Sequence, residues 1–467
     1  MELQLINFFY LIASVLFILG LKDMAHPRTA VRGNLLGALG MLIAIVVTLF
    51  DKHIISYQVI VAGLVVGGLI GAVMAYRAPM TAMPQVVAIF NGFGGGASAL
   101  AVGAAFIEAL KGSFFESINV LFTTSVAAAG FIGGITFTGS LVAFAKLQGL
   151  MDERPTLLPH RHLINIVLAL ACVVLSVMFV VNPTSSTTYW IMLAVSCILG
   201  ITLVIPIGGA DMPVVISLLN AYSGLAAAGH GWVLNNSVLI ISGSLVGSAG
   251  FILTAIMCKA MNRSLTNVMF AGVGEIVASE AESKDVYAGR VKAASPEEVA
   301  MLLEGSRRVV IVPGYGLAVA QAQYAIQDLT NYLESKGVEV DFAIHPVAGR
   351  MPGHMNVLLA EANIPYDKLK EMDEINPTFR ETDVVIVIGA NDVVNPIARN
   401  VTDPSNPIAG MPILNVDEAR SVVIVKRSLA PGFAGIPNPL FAADNSLMLF
   451  GDAKKMATAL VSALKGA

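Results

Sequence analysis

Arg308-Val309-Val310-Ile311-Val312-Pro313-Gly314-Tyr315-Gly316 decides how the C-terminal part of this chain folds. A short run of branched apolar residues passes directly into two glycines around one aromatic residue, and a helix-compatible stretch follows. Buried parallel strands read this way, and glycines at a strand's end let the backbone bend sharply and approach a pyrophosphate. The third position of the fingerprint is Val319 rather than Gly or Ala, so the motif rests on its strand-before, helix-after context. The candidate contacts in this turn are Gly314, Tyr315, Gly316, Val319 and Ala320.

Downstream, β-rich apolar runs recur at 338–344, 383–388, 412–416, 421–425 and 447–450, with helix-like stretches at 317–336, 354–363 and 453–464. Strands alternating with helices imply a doubly wound, Rossmann-like α/β sheet. The end of the second strand chooses the cofactor. It reads Ala343-Ile344-His345-Pro346-Val347-Ala348-Gly349-Arg350, without the carboxylate that would hold a ribose 2′-hydroxyl. The 421–425 strand instead ends in Lys426-Arg427-Ser428, two cations and a hydroxyl suited to a 2′-phosphate, or else a solvated basic turn. NADP(H) is therefore expected over NAD(H). Gly389-Ala390-Asn391-Asp392 ends another strand. There Asn391 can hold the nicotinamide amide or ribose, and Asp392 either caps a turn or, when desolvated, titrates near neutrality. Gly432-Phe433-Ala434-Gly435 has the composition of a flexible lid.

Upstream, residues 264–300 lose the apolar pattern and gain charges such as Glu275, Glu280, Glu282, Lys284 and Asp285, which reads as a mobile linker. Before it lie nine apolar runs, roughly 4–21, 33–50, 56–76, 84–109, 118–145, 163–181, 188–207, 212–229 and 236–258. A bilayer core needs about 20 apolar residues in a helix. With 56% apolar and 13% charged residues the chain is too hydrophobic for an ordinary soluble enzyme. Residues 162–210 hold no Asp, Glu, Lys or Arg, which excludes a surface helix there. The first run lacks a basic leader and an evident cleavage site and is expected to be a retained helix. The organisation expected is a multi-span α-helical membrane domain over 1–263, a linker over 264–300 and a nucleotide-binding domain over 301–467.

Orientation follows from the basic residues of short loops. One set of loops holds Lys22, Arg28, Arg32, Arg77, Lys146, Arg154, Arg161, Lys259 and Arg263, and the alternate set only Lys52 and Lys111. The N-terminus is expected outside and the C-terminal domain in the cytoplasm, in a bacterial inner membrane. Polar groups inside the spans are few. Asp211 sits in Gly208-Gly209-Ala210-Asp211-Met212-Pro213 at the break before the eighth run, Asn220 lies inside the eighth, and Asn91 inside the fourth. Each is costly in hydrocarbon unless it meets a partner or water. Asn91 and Asn220 suit interhelical hydrogen bonds as well as a proton path, and Asp211 suits a solvated loop as well as a titrating site. No chain of carboxylates crosses the bilayer, so a gated, water-assisted proton path fits better than a wire. The three cysteines, Cys172, Cys197 and Cys258, all lie in apolar runs, and no metal site is expected.

At these residues the chain resembles the β-subunit family of the proton-translocating NAD(P) transhydrogenases. The resemblance extends over essentially the full length and includes Thr136–Ser140, Gly208–Pro213, Met257–Arg263, Pro313–Gln323, His345–Pro352, Glu371–Asn376, Gly389–Asp392 and Lys426–Ser428. It implies NADP(H) held by this chain, in a flipped orientation relative to ordinary dinucleotide folds, and NAD(H) held by a separate α subunit. It implies NADP contacts from Tyr315, from Val347, Ala348, Gly349, Arg350, Met351 and Pro352, and from Gly389, Ala390, Asn391, Asp392 and Val393. Further contacts are implied from Lys426, Arg427 and Ser428, from Gly432 and Phe433, and from Asp452 and Ala453. Asp211 and Asn220 match polar positions implicated in proton passage. Some members carry a histidine in the fourth helix where this chain has Asn91, so proton transfer there would rely on waters and another ionisable group. Pairing of two αβ units is also implied, and no nucleic-acid partner is expected.

The activity expected is direct hydride transfer from NADH on the partner to NADP⁺ here, in the Si-specific/Re-face coupled class, driven by protons moving from outside to cytoplasm. A nucleotide-gated channel or transporter with an NADP-sensing domain is the alternative. It predicts a more polar substrate cavity and no dinucleotide-binding partner. A passive anchor beside a soluble NADP enzyme is a third reading, and it needs a catalytic His/Ser/Tyr/Lys set of which the sequence offers no convincing example.

Overall fold

The computed structural model describes residues 3–466 apart from 26–28, 51–56, 112–117, 153–154, 157–158, 184, 210, 263, 272–286, 288, 352, 401–405, 407 and 433. The chain divides into two compact units, Met1–Ala255 and Ile256–Ala467. Among the described residues, nine helices are long and apolar enough to cross a membrane. They are α1 (Leu3–Met24), α2 (Ala30–Leu49), α3 (Tyr57–Arg77), α4 (Met83–Leu110), α5 (Val120–Leu147), α6 (Arg161–Val181), α7 (Ser186–Val204), α8 (Met212–Val233) and α9 (Ser237–Ala260). They run from 19 residues in α7 to 28 in α4 and α5. At a rise of about 1.5 Å per residue the shortest just matches a hydrocarbon core about 30 Å thick. Local chemistry sets the ends: Pro84 and Pro213 occupy first-turn positions, where a missing N–H costs nothing, and the Asn119 side chain caps α5 by accepting from the Phe122 N–H at 2.8 Å.

Small residues decide how α4 and α5 meet. A Cβ on Gly133 would lie 2.5 Å from the Gly95 carbonyl oxygen, so the two backbones touch where no side chain fits. Tyr189 of α7 fills the space beside Gly103 and Gly130, fully buried, and its hydroxyl donates to the Ala99 carbonyl at 2.6 Å. Phe106 and Phe179 pack edge-to-face at 4.6 Å in the same cluster. Deep inside an apolar bundle this interlocking is the main source of helix-helix affinity.

The second unit is built on a six-stranded parallel sheet of order β3-β2-β1-β4-β5-β6, with β1 Arg308–Pro313, β2 Glu339–Ile344, β3 Leu369–Glu371, β4 Val384–Ile388, β5 Ser421–Lys426 and β6 Ser446–Phe450. The order reverses between β1 and β4, the switch point at which open sheets of this kind hold ligands. Val309–Val312 and Val384–Ile388 are buried throughout, as parallel strands covered on both faces require. Helix α10 (Pro296–Glu304) precedes β1 and starts with a capping box between Ser295 and Glu298. Three further helices lie at α11 (Tyr315–Val319), α12 (Gln323–Ser335) and α13 (His354–Glu361), and α14 (Ala453–Gly466) ends the unit.

Two sequence expectations differ from this architecture, and one strand has no mark in the sequence. The helix expected at 317–336 is broken: α11 closes in a Schellman motif, Gln321 N–H to Ala318 O at 3.0 Å and Ala322 N–H to Leu317 O at 3.1 Å, with Gln321 at φ +49. The stretch 412–416 is not a strand, because its carbonyls are taken by side chains: His345 bonds Pro412 O at 2.8 Å and Asn376 bonds Ile413 O at 3.0 Å. The strand beside β2 is instead Leu369–Glu371, three residues too short and too polar to show as an apolar run. In the stretch read as a linker, residues 272–286 lie outside the described residues. From Tyr287 onward the chain belongs to the sheet unit: Tyr287 is buried, Ala293 bridges Met448 of β6, and α10 begins at Pro296.

Candidate nucleotide site and membrane polar groups

The turns after β1 and β4 close on each other. Gly314 N–H donates to Ile388 O at 2.9 Å and Gly316 N–H to Gly389 O at 3.0 Å. A Cβ on Gly314 would fall 2.3 Å from the Gly389 oxygen, and Gly389 itself sits at φ +74 with its missing Cβ 2.1 Å from the Leu317 nitrogen. The glycines are therefore demanded by the meeting of two backbones at the switch point. Val319 points outward, 56% exposed, and Ala320 is the C-cap of α11. With only five residues, α11 offers little dipole to an anion.

The loop after β2 is held by two histidines that do not belong to the expected site residues. His345, 2% exposed, uses Nε2 on the Pro412 carbonyl and accepts the Val347 N–H on Nδ1 at 3.2 Å. His354, 1% exposed, accepts the Arg350 N–H on Nδ1 at 3.0 Å. Burial pushes His345 down to about 4 against the opposing pull of the Pro412 bond. Burial, aided by Arg350, pushes His354 down to about 4 as well. Both are neutral acceptors at neutral pH, and between them they shape Val347, Ala348, Gly349, Arg350 and Met351. Pro352 lies outside the described residues. The Arg350 guanidinium stacks 4.4 Å from the Tyr315 ring centroid, which ties this loop to the β1 turn. Two histidines nine positions apart around a glycine-containing loop were the signal available in the sequence.

After β4, Asn391 bonds Asn438 through both its backbone and side-chain oxygens, at 3.1 and 3.0 Å, and its Nδ2 is buried and has no partner among the described residues. Asp392 accepts the Ala434 N–H at 2.9 Å, and Gly435 N–H closes on Gly432 O at 3.1 Å. The segment expected as a flexible lid is thus pinned to Asp392 by a turn. Phe433 lies outside the described residues. Val393 accepts the Leu414 N–H at 2.9 Å.

After β5, Lys426 folds back: its ammonium bonds the Ala430 carbonyl and stands 4.9 Å from the Phe441 ring centroid. Burial pulls it down to about 8, and the Asp392 carboxylate opposes that. Arg427 and Ser428 are exposed. Asp452, after β6, caps α14 by accepting the Lys454 and Lys455 N–H groups at 3.1 and 3.2 Å, with Ala453 buried behind it. All these turns lie at the carboxyl ends of β1, β2, β4, β5 and β6, on one edge of the sheet.

Among the membrane polar groups, Asn91 of α4 is buried and donates to the Ile216 carbonyl of α8 at 3.3 Å, one helical turn before the half-buried Asn220. This is the interhelical bond that the sequence allowed. Asp211 is the N-cap residue of α8, and its own N–H donates to Gly208 O at 3.1 Å. Lys146 departs from its expected role as a loop cation. It is fully buried, and Nζ donates to Ile205 O at 2.7 Å and Ile207 O at 2.8 Å, at the end of α7 where helical carbonyls have no partner of their own. Without it the basic residues still divide Lys22, Arg28, Arg32, Arg77, Arg154, Arg161, Lys259 and Arg263 against Lys52 and Lys111.

Two comparisons bear on this arrangement. A family model described as NAD(P) transhydrogenase beta subunit matches residues 6–463. A protein of Rhodospirillum rubrum named NAD(P) transhydrogenase subunit beta is 49% identical over 457 residues, covering 97% of this chain and 98% of the relative. A second relative of that name, from a designated strain of the same species, gives the same figures. With helices and sheet alike inside the match, this multi-pass membrane chain belongs to the NAD(P) transhydrogenase beta subunit family.

Proposed function

We propose that this chain holds NADP(H) and conducts protons as the β subunit of a coupled transhydrogenase. Hydride passes from NADH on a partner α subunit to NADP⁺ held here, while protons move from outside to cytoplasm. The carrying observation is the gathering of the candidate turns on one carboxyl edge of the sheet, around the β1–β4 switch point, in a chain whose described residues also hold nine candidate spans. The relatives' name, a beta subunit, supports the α partner.

The residues present suit NADP. The exposed Arg427 guanidinium and Ser428 hydroxyl, with Lys426 beside them, would hold the 2′-phosphate, and no carboxylate stands at the end of β2 to repel it. The buried Asn391 Nδ2, which has no partner among the described residues, is a donor suited to an acceptor such as a carboxamide or ribose oxygen. Gly314, Gly316, Gly389 and Ala390 form the closed backbone floor, and Tyr315 with Val347, Ala348, Gly349, Arg350 and Met351 would form one wall, with Pro352 as a further proposed contact. Val319, Ala320, Asp392, Val393, Gly432, Phe433, Asp452 and Ala453 complete the proposed contacts. When bound, NADP supplies the nicotinamide carbon that takes up hydride, so this chain need only bind, orient and exclude water.

In the membrane part, Asp211, Asn220 and Asn91 are proposed to line the proton path, and protonation there biases the NADP-binding unit. Entry of a proton supplies about 2.3 kcal/mol per 100 mV, enough for a shift of more than tenfold. The domain limits proposed are 1–263 for the membrane domain, 264–300 for the linker and 301–467 for the NADP domain, with the linker's last part, from Tyr287, already packed on the sheet of that domain. The basic-residue bias supports a proposed topology with the N-terminus outside and the NADP domain in the cytoplasm, in a bacterial inner membrane. Two αβ units pair in the assembly; α3, which buries none of its residues within this chain, leaves a face for further helices or lipid. The Si-specific/Re-face coupled class is part of the same proposal. Reconstitution with an α subunit in sealed vesicles tests it. Transhydrogenation that neither acidifies the lumen nor responds to an imposed gradient would eliminate the coupled mechanism.

A further inference from the structure

We propose that Tyr287 is a positioning residue through which the segment arriving from α9 sets the nucleotide pocket, a proposal that rests on the NADP reading above. Tyr287 is 6% exposed, and its hydroxyl accepts the Asn438 N–H at 3.0 Å. Its ring stacks on Phe441, centroids 6.0 Å apart and planes 20° from parallel, and the Lys426 ammonium stands 4.9 Å from that same Phe441 ring. Asn438, fully buried, donates Nδ2 to Asn391 O at 3.1 Å and to Asn391 Oδ1 at 3.0 Å. One tyrosine therefore supports both ends of the proposed pocket: the 2′-phosphate end through Phe441 and Lys426, and the nicotinamide end through Asn438 and Asn391.

The amide orientations follow from the bonds. Asn438 Oδ1 accepts the Leu440 N–H at 3.0 Å, so Nδ2 must face Asn391. Asn391 accepts with Oδ1, so its Nδ2 faces away as a donor, and this atom is buried with no partner among the described residues. A Cβ on Gly432 would come 2.6 Å from it, so the Asp392-pinned turn lies against the same atom. A shift of Tyr287 thus reorients this orphaned donor. On the other side, Lys292 O accepts the Met448 N–H at 2.7 Å and Ala294 N–H donates to Met448 O at 3.0 Å. The chain is clamped to β6 there, so the backbone on the C-terminal side of Tyr287 is held by the sheet.

The test uses full-length protein reconstituted with its α subunit in vesicles, with NADPH release followed by fluorescence with and without an imposed pH gradient. Tyr287→Phe keeps the ring stack and deletes the acceptor. Release is expected to quicken about tenfold, the effect of leaving one buried N–H unpaired. The gradient's effect on release should shrink to less than twofold. In a double-mutant cycle with Asn391→Ala the two effects should be non-additive. Faster release with the wild-type gradient ratio retained, or additive effects, makes the hydroxyl merely structural and overturns the proposal. Wild-type release that ignores the gradient refutes the proposed function itself, which separates the two failures.

Discussion

Lowering pH should loosen the loop that carries Arg350, and the two buried histidines set the size of the effect. An unfolded chain protonates imidazole near 6.5, whereas His345 and His354 in the fold do so only at about 4. Each Nδ1 accepts a backbone N–H, from Val347 and Arg350, and protonation would set donor against donor. Because the opened loop binds more protons than the closed one between these values, closure is fully stabilised above about pH 6.5 and weakens as pH falls toward about 4. The gap corresponds to about 3 kcal/mol per imidazole at about 1.4 kcal/mol per pH unit. Between pH 6.5 and 5 alone it amounts to about 1.6 kcal/mol each, about fifteenfold per imidazole in the opening equilibrium. Amide hydrogen exchange of peptides covering Val347 and Arg350, corrected for the chemical exchange rate, measures this directly. A His345→Gln, His354→Gln double variant should flatten the profile, since glutamine donates and accepts without titrating. Parallel profiles in wild type and double variant would refute the reasoning.

Replacing Lys426 and Arg427 together by Ala should weaken NADP binding about 100-fold or more, because two charge-assisted bonds to the phosphate disappear, and NAD binding only slightly, as read by calorimetric titration. Equal small reductions would remove the 2′-phosphate assignment. Asp211→Asn should slow proton-coupled turnover in vesicles at least tenfold while NADP affinity of the soluble unit stays unchanged; unaltered coupling would dismiss Asp211 from the proton path. Lys146→Met leaves the Ile205 and Ile207 carbonyls unpaired and should cost about 2–5 kcal/mol in the membrane helices, seen as a lower thermal midpoint in detergent that Lys146→Arg partly restores. An unchanged midpoint would mean that water replaces the ammonium there.

Much of the architecture was legible locally. Each span showed as a predominantly apolar run because a helix crossing hydrocarbon needs about 20 mostly apolar residues. Strands β1, β2, β4, β5 and β6 showed as branched apolar runs because both faces of a parallel sheet are covered. The basic Lys426–Ser428 turn and the missing carboxylate after β2 were also plain, being covalent neighbours of strands that the pattern had located. Lys146 could not be read in this way: its position at a span's end matches any positive-inside cation, and only the end of α7 makes it a buried cap.

The amino-acid order alone thus determined the spans and the sheet class, both of which depend on residues within one helix or one strand. Folding decided the rest: that α11 stops at Gln321, that 412–416 yields its carbonyls to His345 and Asn376, and that Tyr287 reaches Asn391 through Asn438. Those outcomes depend on hydrogen bonds between residues far apart in the chain, whose partners no local pattern names.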